Sequence, residues 1–261
     1  METSSNIIAV LKKEKELKIK GGLYHKTMVD LTYNSNHIEG SKLTKEQTRY
    51  IFETKTIGMI EPSVPVDDII ETINHFKAVD FIIDNYDKPL SESFVKELHK
   101  ILKSGTLQSQ DSNFNVGDYK KLPNIVGDNE TCPPEKVGES IRKLLSDYGK
   151  LNEKVLDEIL DFHVKFEAIH PFQDGNGRVG RLIMFKECLN NDIVPFIIMD
   201  ELKAFYYRGL RTWNQEKGYL RDTCLTGQDY YKKLCNYFKI PFESSPEHPD
   251  ITKPPKQGIH F

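Results

Sequence analysis

One stretch of twelve residues concentrates the side chains that could do chemistry: His170-Pro171-Phe172-Gln173-Asp174-Gly175-Asn176-Gly177-Arg178-Val179-Gly180-Arg181. His170 is suited to take up a proton near neutral pH. Asp174 offers a carboxylate of the kind that holds Mg²⁺ against phosphates. Gly175 and Gly177 let a backbone approach a ligand with no Cβ in the way. An apolar helical pattern (Leu156, Ile159, Leu160, Val164, Ile169) precedes the segment and another (Leu182, Ile183, Phe185, Leu189) follows it, with Pro171 ending the first. The segment therefore reads as a helix–loop–helix joint, and the second helix opens with free N–H groups that form an anion site. Arg178 and Arg181 are three residues apart, so both lie beside the same anion. A base, a metal carboxylate, a backbone cradle and two arginines suit phosphoryl or nucleotidyl transfer.

The elements that must position these residues read as helical almost throughout. Residues 6–20 mix Lys and Glu with a few aliphatics and suggest a solvated helix, broken by Gly21-Gly22. A second helix is expected from about His25 to Ile38, ending near Gly40. Thr44 and Gln47 have capping-box spacing and open a third, which should stop near Gly58. Pro62 and Pro65 mark a loop. Residues 66–86 have the clearest amphipathic pattern, with Ile69, Ile70, Ile73, Phe76, Ala78 and Ile82 on one side. Ser91 caps the next helix, which carries Leu98 and Leu102 and stops at Gly105. Residues 105–134 are rich in Gly, Asn, Asp and Ser; Leu122-Pro123-Asn124-Ile125-Val126 followed by Gly127-Asp128-Asn129 predicts a β-hairpin. Further helices are expected from Pro134 to about Tyr148, over 153–169, from Gly175 to about Asn190, near 200–216 and near 226–238. The fold class is all-α, a bundle with one hairpin. Residues 1–60 form N-terminal helices, 61–243 the core with its hairpin near 119–131, and 244–261 a frayed tail.

Composition narrows the function classes. The chain has 261 residues, 36 Lys and Arg against 39 Asp and Glu, a net charge of −3, 38% hydrophobic residues and 29% charged ones. This balance gives no general drive towards nucleic acid or an anionic membrane. No apolar run approaches the roughly 18–20 residues of a membrane span, and the first residues lack a signal peptide's basic and apolar regions. The four cysteines, Cys132, Cys188, Cys224 and Cys235, form no CxxC pair, against a disulfide scaffold or a structural zinc site. A reducing cytoplasm is the expected compartment.

The segment from His170 to Arg181 resembles the motif of the Fic family, His-x-Phe-x-(Asp/Glu)-Gly-Asn-Gly-Arg-x-x-Arg, at every defined position. The resemblance extends over about 90–240. It implies a helical bundle that transfers AMP from ATP to a hydroxyl of a target protein, with Mg²⁺ as cofactor. By the same resemblance His170 would be the general base, Phe172 would be buried and fix the loop, and Asp174 would hold Mg²⁺. Gly175, Asn176 and Gly177 would cradle the α- and β-phosphates, Arg178 would contact the phosphate chain and Arg181 the γ-phosphate. Val179 and Gly180 complete the expected nucleotide-binding turn. Tyr207 and Asn214, in Tyr207-Arg208-Gly209-Leu210-Arg211-Thr212-Trp213-Asn214, resemble residues that border the nucleotide. Leu122, Asn124, Ile125 and Val126 fall where the family places its target-docking flap.

A second motif lies upstream. Ser35 and Glu39 are four apart, on one helix face, and Gly40 follows. They resemble the family's inhibitory helix, (Ser/Thr)-x-x-x-Glu-(Gly/Asn), in its N-terminal class. Glu39 would then pair with Arg181 in the place of the γ-phosphate. Self-modification is expected, the target protein is not indicated, and a homodimer stays open.

Other readings remain beside this one. A nucleotide-binding regulatory protein with little transfer needs neither His170 nor Asp174. The same site could use another nucleotide or remove AMP. His163, Glu167 and His170, spaced four and three apart, could share a helix face as ligands of a metallo-hydrolase. Tyr207 and Trp213 suit a helix core at least as well as nucleotide contact. His25, His37, His75, His99, His248 and His260 read as structural or solvated.

Overall fold

The structure, a computed structural model, describes residues 4–57, 63–127 and 129–242. Ten α-helices account for most of them: α1 (Ser4–Glu16), α2 (Leu23–Ile38), α3 (Lys45–Thr54), α4 (Val66–Asp84), α5 (Glu92–Lys103), α6 (Pro134–Gly149), α7 (Leu156–Ile169), α8 (Asn176–Asn190), α9 (Lys203–Thr212) and α10 (Gly218–Tyr237). The strands β1 (Ile125–Val126) and β2 (Asn129–Glu130) pair antiparallel, Ile125 with Glu130 and Val126 with Asn129. The all-α bundle with one hairpin is therefore observed. The hairpin is smaller than the span 119–131, because only these two pairs form a ladder. The expected tail at 244–261, with His248 and His260, lies outside the described residues, as do Gly58 and Pro62.

Helix ends follow local chemistry. Thr44 and Gln47 make the full capping box of α3, with Gln47 N–H donating to Thr44 Oγ1 at 3.1 Å and Thr44 N–H to Gln47 Oε1 at 2.8 Å. That helix ends at Thr54, with Lys55 left-handed. Ser91 Oγ accepts from Phe94 N–H and caps α5. The far end of α5 is closed from outside: Asn74 Nδ2 donates to the carbonyls of Leu102 and Ser104, at 3.1 and 2.6 Å.

Three expectations are revised. Helix α1 is not merely solvated, since Ile7, Ile8 and Leu11 form a stripe buried against α2 and α4. On α4 the buried face runs through Thr72, His75, Phe76, Val79, Ile82 and Ile83, and Ile73 faces out. The phase is set by polar side chains that find partners inside: Asn74 on α5, and His75 Nδ1 with Thr32 Oγ1 at 3.0 Å. Helix α10 starts at Gly218, not near 226, because Gly227 is a packing residue in mid-helix. A Cβ there would run into the Ile197 backbone.

The main apolar core joins Ile7, Leu11, Leu23 and Met28 of the first two helices to Val79, Ile82, Leu98, Leu102, Phe166, Phe172, Leu182 and Phe185. It crosses the 60/61 boundary. A second cluster gathers Ile38, Leu160, Met184, Cys188, Phe196, Tyr206 and Trp213. Helix α8 contributes to both and is buried almost all round, as a central helix must be. All four cysteines are free, with Cys188, Cys224 and Cys235 buried. Among the described residues no helix is long and apolar enough to cross a membrane.

Candidate active site

The joint forms between α7 and α8. Helix α7 ends at Ile169, and His170 takes a left-handed conformation with its N–H on the Phe166 carbonyl at 2.9 Å. Pro171 then prevents further helix. Asn176 reaches back across the loop. Its Oδ1 accepts from Phe172 N–H at 2.8 Å and its Nδ2 donates to the Phe172 carbonyl at 2.9 Å. Phe172 is fully buried and stacks on His99, ring centroids 3.9 Å apart. His99 Nδ1 accepts from Gly117 N–H, so its Nε2 carries the hydrogen and donates to the Asp174 carbonyl at 3.1 Å. The loop is thus held at Phe172, Asp174 and Asn176 by side chains before any ligand arrives.

Helix α8 begins at Asn176 with Gly175 as its N-cap, and Val179 N–H makes the first turn's bond to the Gly175 carbonyl. By helix geometry the N–H groups of Asn176, Gly177 and Arg178 have no intrahelical acceptor. They point out of the helix end as an anion cradle. The Asn176 side chain is spent on Phe172, which leaves its backbone N–H for the cradle. Val179 lies in the core, and its N–H is taken. Gly180 faces α7, where a Cβ would come within 2.6 Å of the His163 ring and 2.8 Å of Glu167 Oε1. The structure therefore places Val179 and Gly180 in the packing behind the cradle.

Both arginines are buried to 4% side-chain exposure and held by carboxylates. Arg181 Nη2 donates to Glu39 Oε1 at 2.6 Å and to the Ser35 carbonyl at 2.9 Å, while Arg181 Nε donates to Ser35 Oγ at 3.0 Å. Ser35 lies in the last turn of α2 and Glu39 is the cap that follows it, beside Gly40. Glu39 lies over Gly177, where a Cβ would collide with its carboxylate. Burial would raise the Glu39 carboxyl, but the Arg181 charge and hydrogen bond outweigh it and hold the group below its ordinary value. Arg181 also lies over the Tyr206 ring, 5.7 Å from its centroid. Arg178 pairs with Glu71 of α4, and Asp174 Oδ2 lies 2.6 Å from Lys103 Nζ and 3.6 Å from Arg178 Nη2. Buried Arg178 Nε and Arg181 Nη1 have no partner among the described residues.

His170 stands at the edge of the cradle. Burial, and then the charge of Lys120, lower its pKa to about 4, so the imidazole is neutral at pH 7. Lys120 is itself buried. Its N–H donates to the Pro171 carbonyl at 2.8 Å, and its ammonium donates to Asn124 Oδ1 and Thr131 Oγ1 at 2.7 and 2.6 Å. Asn124 Nδ2 donates to the Phe172 carbonyl. Asn124 is therefore a brace between hairpin and loop, whereas Leu122, Ile125 and Val126 are exposed.

Of the remaining expected residues, Tyr207 is half-buried, and burial and the Glu39 charge push its hydroxyl up to about 12. Asn214 is exposed in the turn after α9. Trp213 is a core residue with its Nε1 on Asp161 at 3.0 Å. His163 Nε2 bonds Tyr206 OH at 2.7 Å, and half-buried Glu167 is pushed up to about 8 by desolvation and then by Glu39. No group of three or more metal-ligating side chains occurs among the described residues, so His163, Glu167 and His170 do not form one. Asp174 is one hard oxygen ligand, 39% exposed beside a phosphate-sized cradle. That suits Mg²⁺, which takes one or two carboxylates plus substrate phosphates, and does not suit a resident all-protein metal.

Glu71, Lys103, Lys120 and Tyr206 were not singled out in the sequence, and His99 was read only as structural or solvated. A signal existed for two of them. His99 and Lys103 are four apart on the same face as Val95, Leu98 and Leu102, a polar pair on an apolar stripe.

Residues 89–188 match the model of the Fic/DOC family. The matched stretch takes in the whole joint from His170 to Arg181. Protein adenylyltransferase fic-1 of Caenorhabditis elegans is 28% identical over 189 residues, covering 70% of this chain and 36% of that protein. A probable protein adenylyltransferase of Aquifex aeolicus is 27% identical over 168 residues, covering 58% of this chain and 50% of that one. The matches thus span about a third to a half of these relatives. A Fic domain containing signaling protein of Bacteroides thetaiotaomicron superposes with a TM-score of 0.66 at 24% identity, over 88% of this chain and 90% of that one. Fic-1 of C. elegans superposes with a TM-score of 0.68 at 20% identity, over 90% and 73%. Both structures share the fold.

Proposed function

We propose that the chain is a Mg²⁺-dependent protein adenylyltransferase that moves AMP from ATP to a hydroxyl of a target protein and of itself, restrained by the Ser35–Gly40 end of α2. One observation carries this reading: the Glu39 carboxylate lies on Arg181 at the open end of α8. A carboxylate in a helix N-terminal anion site stands where a phosphate would bind. The relatives named as protein adenylyltransferases support AMP as the group transferred.

In this reading the N–H groups of Asn176, Gly177 and Arg178 receive the phosphates, and Arg178 and Arg181 balance their charge. The target hydroxyl oxygen attacks the α-phosphorus, and its proton passes to the neutral imidazole of His170. The bond from that phosphorus to the α–β bridging oxygen breaks, and pyrophosphate leaves with the electron pair. Mg²⁺ at Asp174 supplies charge neutralisation for the phosphates and the leaving group. Glu39 and the γ-phosphate compete for Arg181. With the carboxylate in place, ATP binds with its α-phosphate out of line, and misplacement of that size costs about a hundredfold in rate.

The test uses ATP labelled separately at the α- and γ-phosphates, with Mg²⁺, on the full chain and on Glu39→Gly. Label from the α-position on protein, and none from the γ-position, is the expected result. Label from the γ-position alone, or none with either variant, would overturn the assignment.

A further inference from the structure

Four charged side chains form a closed ring behind the motif loop. Glu71 Oε1 pairs with Lys103 and Glu71 Oε2 with Arg178, while Lys103 and Arg178 both reach Asp174 Oδ2, at 2.6 and 3.6 Å. The ring ties α4, α5 and α8 to the loop, and its two acids and two bases leave it neutral. Lys103 is 2% exposed, with its ammonium on Glu71 and Asp174. Asp174 remains 39% exposed although both of its ion pairs fall on Oδ2. With Oδ2 held by both cations and the Gly175 N–H also bonded to the carboxylate, Oδ1 is the oxygen left without an ion pair.

We infer that Lys103 is a positioning residue for the Asp174 carboxylate: backed by Glu71, it fixes Oδ2 and turns Oδ1 towards a divalent cation carried by nucleotide phosphates. This rests on the proposed nucleotidyl-transfer reading. Three physical arguments support it. A lone carboxylate at a loop turn can rotate, and a ligand that must be ordered on binding binds more weakly. A bond from a buried ammonium removes that freedom beforehand. The neutral ring also keeps the Lys103 charge from repelling the cation, since Glu71 lies on the same ammonium. Partners of this kind, one bond removed from the metal, typically change metal affinity about 10- to 100-fold when lost.

The experiment is calorimetric titration of ATP into the full chain carrying Glu39→Gly, which removes the competing carboxylate, once with saturating Mg²⁺ and once in chelator. The ratio of the two dissociation constants measures the metal's contribution. Lys103→Met should shrink that ratio by about 10-fold or more, while the lost positive charge weakens ATP in chelator by less than it weakens ATP with Mg²⁺. Lys103→Arg should restore part of it, and Glu71→Gln should shrink it less than Lys103→Met does. Thermal unfolding confirms the fold, and if Lys103→Met does not fold, Glu71→Gln decides in its place. A folded variant with an unchanged or larger ratio overturns the inference, as does equal weakening with and without metal. A parent protein that gains nothing from Mg²⁺ overturns the metal reading and this inference together; a gain that survives Lys103→Met overturns this inference alone.

Discussion

Glu39 Oε1 and Arg181 Nη2 are 2.6 Å apart although 142 residues separate them in the chain. Nothing local brings them together. The contact exists because α2 packs against α8 and its last turn meets the first turn of α8. Arg181 is 4% exposed and stays charged, so an anion that reaches it must share or displace Glu39.

Replacing that carboxylate should therefore release the site. Glu39→Gly is expected to raise AMP transfer, self-modification included, by about one to two decades, at roughly 1.4 kcal/mol per decade. The source is loss of the charge-assisted hydrogen bond from Arg181 Nη2, worth about 1.5–3 kcal/mol. Ser35→Ala should act in the same direction but more weakly, since it removes the hydroxyl that accepts from Arg181 Nε and keeps the carbonyl that accepts from Nη2. Arg181→Ala should not activate, because it removes the γ-phosphate partner along with the anchor. Initial rates of the three variants check the order. A loss of rate in Glu39→Gly would make the residue a catalytic acid instead.

Asp174→Ala should separate nucleotide binding from chemistry. The carboxylate lies on two cations and beside the anion cradle. Without it, Lys103 and Arg178 share only Glu71 and the site gains a positive charge. ATP affinity in chelator should hold or rise, while transfer and the response to Mg²⁺ are lost. Transfer at the parent rate in excess chelator would remove this carboxylate from the mechanism.

The exposed edge at Ile125, where 67% of the residue is accessible, is expected to pair with a target segment as an added strand. Ile125→Pro removes the N–H and should impair target modification more than ATP binding. Equal loss in both assays would indicate damage to the hairpin as a whole. Asn124→Ala is a useful contrast, because that side chain holds the hairpin to the Phe172 carbonyl. It should affect both activities through the loop.

The motif loop was legible in the sequence because its function needs consecutive residues: the proline stop, the glycines and the paired arginines all lie within twelve positions. The capping box at Thr44 and Gln47 was legible for the same reason. The ring of Glu71 and Lys103 was not, since each is one charged residue on an amphipathic helix and only the packing of α4 on α5 joins them. The burial of Ile7, Ile8 and Leu11 escaped because three aliphatics among lysines look solvated until α2 and α4 are placed against them. The start of α10 was also misplaced, near 226 instead of Gly218, because Gly227 is a close packing point against the Ile197 backbone inside the helix.

The acid limb of the pH profile should report His170. Burial and the Lys120 charge place its pKa at about 4, below the ordinary histidine value. A depressed base stays unprotonated further into acid, so kcat/KM should be level from pH 7 to about 5 and fall as pH drops through about 4. His170→Ala should abolish transfer, with a loss of about 10²- to 10⁴-fold, and leave ATP binding nearly intact. Lys120→Met then tests the cause. Removing a cation near the imidazole makes protonation easier, so the limb should move to higher pH. The variant also loses the ammonium's bonds to Asn124 and Thr131, so a lower plateau is expected as the hairpin loosens. The displacement of the limb is the diagnostic, because a purely structural role for Lys120 would lower the plateau without moving it.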